Sequence, residues 1–214
     1  MNSVSLQARG TDEFLHGVAT ACIGPNAVIQ TLRAIRQLQG PEIASALAAD
    51  AGISEQQPNA MIPEANFVRL VAALRAHLSV DRSAPILARA GSLTATYVAA
   101  NRIPRIFKLV LRLLPARLAL PLLLAAFRRH AWTFAGRSQF WVVGAFPGQI
   151  VLDDAPTCRR ASADSCSGEY YAAAFEGLLT LACANVRVRE VACRSRGARD
   201  CRFAIETTTD PARG

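Results

Sequence analysis

The segment VRVREVACRSRGARDCRFAIE, residues 186–206, has the pattern of an antiparallel β-hairpin. Branched and aromatic residues alternate with polar ones on both sides of a turn rich in Ser, Gly and charge. The strands are expected at about 186–193 and 201–205. Cys193 closes the first strand and Cys201 opens the second, so both sulfurs are expected at the same end of the hairpin.

The residues before this hairpin indicate a helix and a second hairpin. SGEYYAAAFEGLLTLACA (167–184) has apolar residues at helical spacing, and SQFWVVGAFPGQIVLDD (138–154) has two strand-like runs around AFPG. The C-terminal region 137–207 is therefore predicted as strand–strand–helix–strand–strand. Residues 208–214 are expected to form a tail.

The first two-thirds of the chain is predicted to be helical. PNAVIQTLRAIRQLQGPE (25–42) begins with a proline and ends at Gly-Pro, and IPEANFVRLVAALRAHLS (62–79) has one apolar stripe. Pro104, Pro115 and Pro121 are expected to divide the next apolar region into short helices. The fold class is therefore α+β, in which a helical region 1–136 packs on the antiparallel sheet of 137–207 and both form one ligand-binding unit.

Composition excludes several classes of protein. The chain has 214 residues, 51% hydrophobic and 19% charged, with a net charge of +8. Its longest uncharged apolar run, 118–127, is half of the ~20 residues that a transmembrane helix needs, and the N-terminus has no signal-peptide pattern. A cytoplasmic location is expected, where thiols stay reduced. Charge alone does not indicate nucleic-acid binding, because no RNA-binding module or helix-turn-helix is evident.

Three of the six cysteines are spaced as metal ligands. Cys166, Cys193 and Cys201 have the pattern C-x26-C-x7-C, which places three thiolates at one end of the sheet. Two residues compete for a fourth position. Glu190 needs a bulge near Val191, since residues three apart on a regular strand face opposite sides, and Cys158 repeats the x7 spacing to Cys166. With either fourth ligand the metal would have four protein ligands and no open position, so its role would be structural. Cys22 and Cys183 are expected to be small buried side chains.

The C-terminal segment resembles the vinyl-4-reductase domain. GEYYAAAFEGLLTLACANVRVREVACRSRGARDCRFAI contains the helix pattern Y-x3-F-x-G-L followed by E-x2-C-x-[SA]-x-G-x3-C-x-F. Upstream, IGPNAVIQTL, IPEANFVRLV, ANRIPRIFKLVLRLLPARLA and RHAWTFAG extend the similarity over almost the whole chain. Together they resemble the BchJ-type, or 4-vinyl reductase, family of bacteriochlorophyll biosynthesis.

This resemblance implies a fold and a metal. The domain is similar to the ligand-binding fold of TRAPP-type transport proteins and aromatic-sensing activators, which hold an apolar ligand between helices and a sheet. In the aromatic sensors three cysteines and a glutamate hold a structural zinc ion. The matching residues here are Cys166, Glu190, Cys193 and Cys201.

The family label is reductase, but the sequence favours a carrier. Reduction of a vinyl group needs a hydride donor such as a nicotinamide or flavin, and the chain has no G-x-G-x-x-G after a strand and no P-loop. The resemblance therefore favours a protein that binds a magnesium tetrapyrrole and carries or presents it to biosynthetic enzymes. The alternative is a 4-vinyl reductase that converts a vinyl to an ethyl group.

The segment RRHAWTFAGRSQFW, residues 128–141, has the side chains that such a pigment needs. An apolar slot, an axial ligand for magnesium and basic groups for the propionates are required. The predicted axial ligand is His130. Trp132, Phe134 and Trp141 are predicted to line the slot. Arg129, or its neighbours Arg128 or Arg137, is predicted to contact the carboxylates.

Residues 102–130 allow two interpretations. Arg105, Lys108 and Arg112 have helical spacing and could form a basic strip beside an apolar face, as in a helix lying on anionic lipid at the inner membrane. The preferred interpretation is helices packed on the sheet with their arginines in water. Sheet edges and apolar helices also make a homodimer plausible.

Overall fold

The alternation of helical and strand-like patterns produces seven α-helices and six β-strands in the part of the chain that the computed structural model describes, residues 21–56, 60–159 and 168–207. The helices are α1 (Asn26–Gln39), α2 (Pro41–Asp50), α3 (Glu64–His77), α4 (Val80–Asn101), α5 (Arg105–Leu113), α6 (Ala116–His130) and α7 (Glu169–Leu179). The strands are β1 (Cys22–Ile23), β2 (Ile62–Pro63), β3 (Phe140–Val143), β4 (Gln149–Leu152), β5 (Val186–Ala192) and β6 (Cys201–Thr207). The described residues include no helix long and apolar enough to cross a membrane.

The C-terminal strands form one antiparallel sheet in the order β3-β4-β6-β5. Both predicted hairpins are present, and α7 connects them along the chain as the sequence indicated. A separate two-stranded sheet pairs β1 with β2. The α+β fold class is therefore confirmed.

The core lies between the helices and one face of the four-stranded sheet. Helix α7 packs on β5 and on α4, and α4 packs on α1. The rings of Phe134, Phe140, Tyr171, Phe175 and Phe203 meet with centroids 5.6 to 6.2 Å apart. Such offset and edge-on contacts fill the space between α7 and the sheet with aromatic side chains.

Proline and glycine set most helix boundaries as predicted, with one exception. Gly40, at φ 96°, ends α1, and Pro104 and Pro115 precede α5 and α6. Pro121 does not divide the chain, because α6 continues through it. Proline removes the amide that would bond to the Arg117 carbonyl, but both residues are exposed, so water can replace that partner.

The preferred interpretation of residues 102–130 is right for α6 and wrong for α5. Helix α6 buries five residues, including Leu120, Leu123 and Phe127. Helix α5 buries only Leu111, and its contacts are mainly with α6. Most of the apolar side chains of α5 therefore face outward.

Candidate metal centre and adjoining groove

Four possible metal ligands meet beside the turn between β5 and β6. One ligand atom from each of Cys158, Glu190, Cys193 and Cys201 lies within 4.8 Å of the others. The Cys158 sulfur is 3.4 Å from that of Cys193 and 3.3 Å from that of Cys201. All three cysteines are buried, and the Glu190 side chain is only 10% exposed.

Each element of the sheet end contributes to this cluster. A 3₁₀ turn at Pro156–Cys158 brings in Cys158 after β4, and Arg75 of α3 holds that turn by donating to the Thr157 carbonyl at 2.6 Å. Cys193 follows β5 and Cys201 begins β6. The Cys193 carbonyl accepts hydrogen bonds from the amides of Arg196 and Ala198, which closes the turn between the two cysteines.

Glu190 reaches the cluster through the bulge that the sequence required. Glu190 pairs with Phe203 but Ala192 pairs with Arg202, so Val191 is an extra residue on β5. A bulge changes the side to which the following residues point. Glu190 therefore shares the core-facing side of the sheet with Phe203, and Cys193 still points toward it.

The Glu190 carboxylate is largely buried and forms an ion pair with Arg196 at 3.3 Å. Burial is the main influence and raises the pKa of Glu190 to about 7, although the Gly168 amide and the Arg196 guanidinium act in the opposite direction. The Gly168 amide donates to Oε2 at 3.1 Å, and a Cβ at Gly168 would lie only 2.4 Å from the carboxyl carbon. A cation inside the cluster would offset the cost of burying this carboxylate.

The thiols are also shifted by one another. The hydrogen bond between the Cys158 and Cys201 sulfurs raises the pKa of Cys158 and lowers the pKa of Cys201, and burial raises that of Cys158 further. Cys201 is therefore the more easily deprotonated of the two, and thiolates are the form that binds metal.

The donor set fits a tetrahedral zinc ion. Zinc–sulfur bonds of about 2.3 Å place neighbouring sulfurs about 3.8 Å apart, close to the observed separations. Cys193 is disulfide-bonded in this structure, so a zinc ion requires its reduced form. Glu190 and Cys158, the two alternatives for the fourth ligand, are both in the cluster. Cys166 lies outside the described residues, and its role stays a prediction.

The other two cysteines lie apart from this group. Cys22 is exposed on β1, so the expectation that it is buried is wrong. Cys183 is half-buried after α7 and packs against the core.

An open groove of about 760 Å³ lies on the outer face of the sheet, beside the turn that the cluster anchors. Trp141 is paired with Val151, and Val151 with Arg202, so the three side chains form a row across β3, β4 and β6 on that face. The groove is lined by Gln139, Trp141, Asp153, Arg194, Ala198, Arg199, Asp200 and Arg202.

The charge of this groove is divided between arginines and two carboxylates. Asp200 accepts two hydrogen bonds from Arg202, at 2.6 and 3.2 Å, and its charge raises the pKa of that arginine. Arg194 donates to the Asp153 carbonyl at 3.1 Å, and Arg199 is exposed. Since a guanidinium has five donors, Arg194 and Arg199 retain donors for an added anion.

The five side chains predicted to hold a pigment lie in different parts of the structure. Trp141 lines it, whereas Phe134 packs against Phe140 and Phe175 in the core. Arg129, His130 and Trp132 are exposed at and just after the end of α6. Their role in pigment binding stays a prediction.

Sequence reasoning missed the groove arginines Arg194, Arg199 and Arg202. They lie 53 to 61 residues after Trp141 in the sequence, and two of them belong to the turn already identified for its cysteines. Only the strand order places β6 two positions from β3. The hairpin patterns alone could not reveal that order.

A second groove, of about 690 Å³, reaches the cluster of possible metal ligands from the helical side. Cys158 and Ser195 line it together with the arginines Arg69, Arg137, Arg159 and Arg194 and the acidic residues Glu64 and Asp154. Glu64 is buried and forms an ion pair with Arg159, which also bonds to Asp154 at 2.8 Å. This network joins the start of α3 to the segment that carries Cys158.

Comparison with known proteins agrees with the sequence resemblance. The model of the V4R domain matches residues 149–207. The bacteriochlorophyll synthase 23 kDa chain of Cereibacter sphaeroides is 36% identical over 185 residues, 86% of this chain and 89% of that protein. The protein of the same name from Rhodobacter capsulatus is 35% identical over 185 residues, 86% of each chain.

Among solved structures, an H-NOX protein from S. oneidensis in the Fe(II)NO ligation state aligns with a TM-score of 0.47 and 14% identity, over 86% of this chain and 98% of that one. A likeness this weak carries no inference. The two 23 kDa relatives, in contrast, match nearly from end to end. The chain therefore belongs to the BchJ-type family of the bacteriochlorophyll synthase 23 kDa chain and contains its V4R domain.

Proposed function

We propose that this protein acts in bacteriochlorophyll biosynthesis, where it binds a magnesium tetrapyrrole intermediate and carries or presents it to the biosynthetic enzymes. The observation that carries the proposal is the 36% identity to a bacteriochlorophyll synthase 23 kDa chain over 86% of this chain. Because the similarity extends well beyond the V4R domain, it supports a shared role of the whole chain.

The groove on the outer face of the sheet is the proposed pigment contact. A tetrapyrrole combines a flat aromatic face with carboxylates. Trp141 offers a ring to stack on, and Arg194 and Arg199 offer guanidinium donors to the carboxylates. The volume of about 760 Å³ is within the usual range of ~300–1,000 Å³ for ligand sites. An open groove also suits a carrier, which must release its ligand to another protein.

A structural zinc ion is proposed beneath this groove. Glu190, Cys193, Cys201 and Cys158 would hold it, with Cys166 as the alternative to Cys158. Its role would be to fix the turn 194–200, which supplies Arg194 and Arg199 to the groove. The metal would thus determine the geometry of the groove without contacting the pigment.

The two tryptophans of the chain allow a direct test of this assignment. Purified, reduced, zinc-loaded protein is titrated with a divinyl magnesium tetrapyrrole, and absorption and tryptophan fluorescence are recorded. Trp132 and Trp141 are the only tryptophans, so Trp132→Leu and Trp141→Leu each leave one reporter. We expect a saturable spectral shift in the unchanged protein and in Trp132→Leu, and an affinity about tenfold lower in Trp141→Leu, because leucine has no ring to stack on the pigment.

If binding weakens when Trp132 is replaced and not when Trp141 is replaced, the pigment contacts the segment 129–134, as the sequence predicted. His130→Ala and Arg129→Gln would then weaken binding, whereas Arg199→Gln would not. The absence of any saturable shift would contradict the carrier function. A pigment that gains two hydrogens after NADPH is added, in proportion to turnover, would establish the 4-vinyl reductase instead.

A further inference from the structure

Helix α5 exposes a continuous apolar face. Ile106, Leu109, Val110 and Leu113 follow helical spacing, and their exposed fractions are 79, 57, 39 and 75%. We call these four residues the α5 apolar face. Leu118 and Leu122, at 54 and 39% exposure, add to the exposed apolar surface on the first two turns of α6.

The remaining residues of α5 form two further faces of the helix. At about 100° per residue, Phe107 and Leu111 lie on the side that packs against the core, and Arg105, Lys108 and Arg112 lie on the third side. Lys108 donates to the Ala99 carbonyl at 2.8 Å, which ties α5 to the end of α4. Arg105 and Arg112 are exposed and border the α5 apolar face.

The charge around α5 has a single sign. Between Arg82 and Leu152 the sequence has ten basic residues and no acidic ones. The rest of the chain has 14 basic and 16 acidic residues, so the whole positive net charge originates in this segment. Arg102, Arg105, Arg112 and Arg117 are exposed on or next to α5.

This combination favours one kind of partner. A second copy of the chain placed on the same face would bring two strongly basic surfaces together, which electrostatic repulsion opposes. A small apolar ligand needs a concave site, whereas the α5 apolar face is an outward-facing helix surface. A bilayer of anionic lipid accepts apolar side chains and attracts the arginines beside them, whose stems lie along the interface while the guanidinium groups reach the headgroups.

We propose that α5 docks this protein on the surface of an anionic phospholipid bilayer. The helix has nine residues, about 14 Å, so it lies in the interface and does not cross the membrane. The α5 apolar face enters the boundary of the acyl chains, and Arg105, Arg112 and Arg117 contact the headgroups. This docking is independent of pigment and zinc binding.

Co-sedimentation with vesicles tests the proposal on the full chain. Vesicles of phosphatidylcholine with about a third phosphatidylglycerol are compared with pure phosphatidylcholine, at low and at physiological salt. We expect binding to the anionic vesicles that weakens as salt rises. Ile106→Ser with Leu113→Ser should lower the partition coefficient about a hundredfold, and Arg105→Gln with Arg112→Gln about thirtyfold at low salt.

Matched control variants test whether a loss of vesicle binding is specific to the α5 apolar face. Leu38→Ser with Ile43→Ser removes two exposed apolar side chains elsewhere, and Arg187→Gln with Arg189→Gln makes the same change in net charge on β5. Both controls should bind vesicles like the unchanged protein. Failure of the unchanged protein to bind, or equal losses in face and control variants, would overturn the proposal. So would a dimer that Ile106→Ser with Leu113→Ser converts to a monomer, since the face would then be a protein interface.

Discussion

One extra residue on β5, Val191, decides which side of the sheet Glu190 faces. Without the bulge, Glu190 and Cys193 would point to opposite sides, and the cluster would lose one of its ligand positions. This requirement was predictable from the sequence, because a strand has a period of two residues and the spacing from Glu190 to Cys193 is three. The closeness of Cys158 was less predictable, since it depends on the turn after β4 and on Arg75 holding that turn.

Removing one thiol should remove the metal. We expect reduced protein to contain about one zinc ion per chain and Cys158→Ser to lose most of it, because a hydroxyl is a far weaker zinc ligand than a thiolate. Elemental analysis of the purified protein measures the ratio. Cys183→Ser, which changes a cysteine outside the cluster, should keep the metal.

Elemental analysis also distinguishes Cys158 from Cys166 as the zinc ligand. If Cys166→Ser loses zinc and Cys158→Ser retains it, the ligand set implied by the family resemblance is right and Cys158 is a neighbour only. A protein that is fully folded and metal-free under reducing conditions would refute the zinc site itself.

The buried pair of Glu64 and Arg159 should contribute strongly to stability. Glu64 is 3% exposed and Arg159 11% in their side chains, and the Arg137 amide also donates to Glu64, at 3.1 Å. Among the described residues, Glu64→Gln leaves the buried Arg159 charge with only Asp154 as counter-ion. We expect the free energy of unfolding to fall by about 2 to 4 kcal/mol, as measured by urea denaturation.

Glu206→Gln is the matched control for that change. Glu206 also pairs with an arginine, Arg189, but both side chains are more than half exposed. Exposed pairs contribute little because water and salt screen them. Equal losses of stability in the two variants would mean that the buried network has no special role.

At the scale of elements, the close crossing of α4 and α7 determines how the helical part meets the sheet. Gly91 of α4 lies against the backbone of α7, where an added Cβ would be 2.1 Å from the Tyr170 carbonyl oxygen. Gly177 of α7 lies against the Ala95 side chain, and a Cβ there would be 2.7 Å away. Two glycines thus allow the helices to approach closely, as small residues at a crossing do.

Gly91→Ala should therefore destabilise the protein even though alanine is the better helix former. The propensity gain is about 1 kcal/mol, but the clash is with a backbone atom that cannot move without shifting α7. We expect a net loss of about 2 kcal/mol by thermal or urea unfolding. Ser92→Ala, on the exposed side of the same helix, is the control, and greater stability of Gly91→Ala would contradict the packing described.

The element boundaries were largely predictable, and the environment of α5 was not. Gly40, Pro104 and Pro115 mark ends and beginnings because they restrict the backbone locally. An apolar helical stripe, in contrast, has the same sequence pattern whether it packs on a sheet or faces outward. Only the packing of α6 on the core leaves α5 at the surface, so the periodicity of residues 105–113 could not distinguish the two interpretations.

At the scale of the molecule, one hydrophobic core joins the helical region to the V4R domain. Buried residues in mutual contact extend from Ile23 near the start of the described chain to Ile205 on β6. The predicted division at residue 136 therefore separates two kinds of secondary structure without separating two cores. That both parts act as one ligand-binding unit stays a prediction.

A continuous core predicts one cooperative unfolding transition. Two probes should give the same midpoint. Far-ultraviolet circular dichroism follows mainly the helices. Near-ultraviolet circular dichroism follows aromatic side chains, including the cluster of Phe134, Phe140, Tyr171, Phe175 and Phe203. Removing the metal with a chelator should lower that midpoint by roughly 5–10 °C for both probes, since a ligand that binds only the folded state stabilises the whole cooperative unit. Two separate transitions, with the chelator acting on only one of them, would show that the sheet with the proposed zinc site and the helical region fold independently. The position of the groove arginines would then depend on the metal, and that of α5 would not.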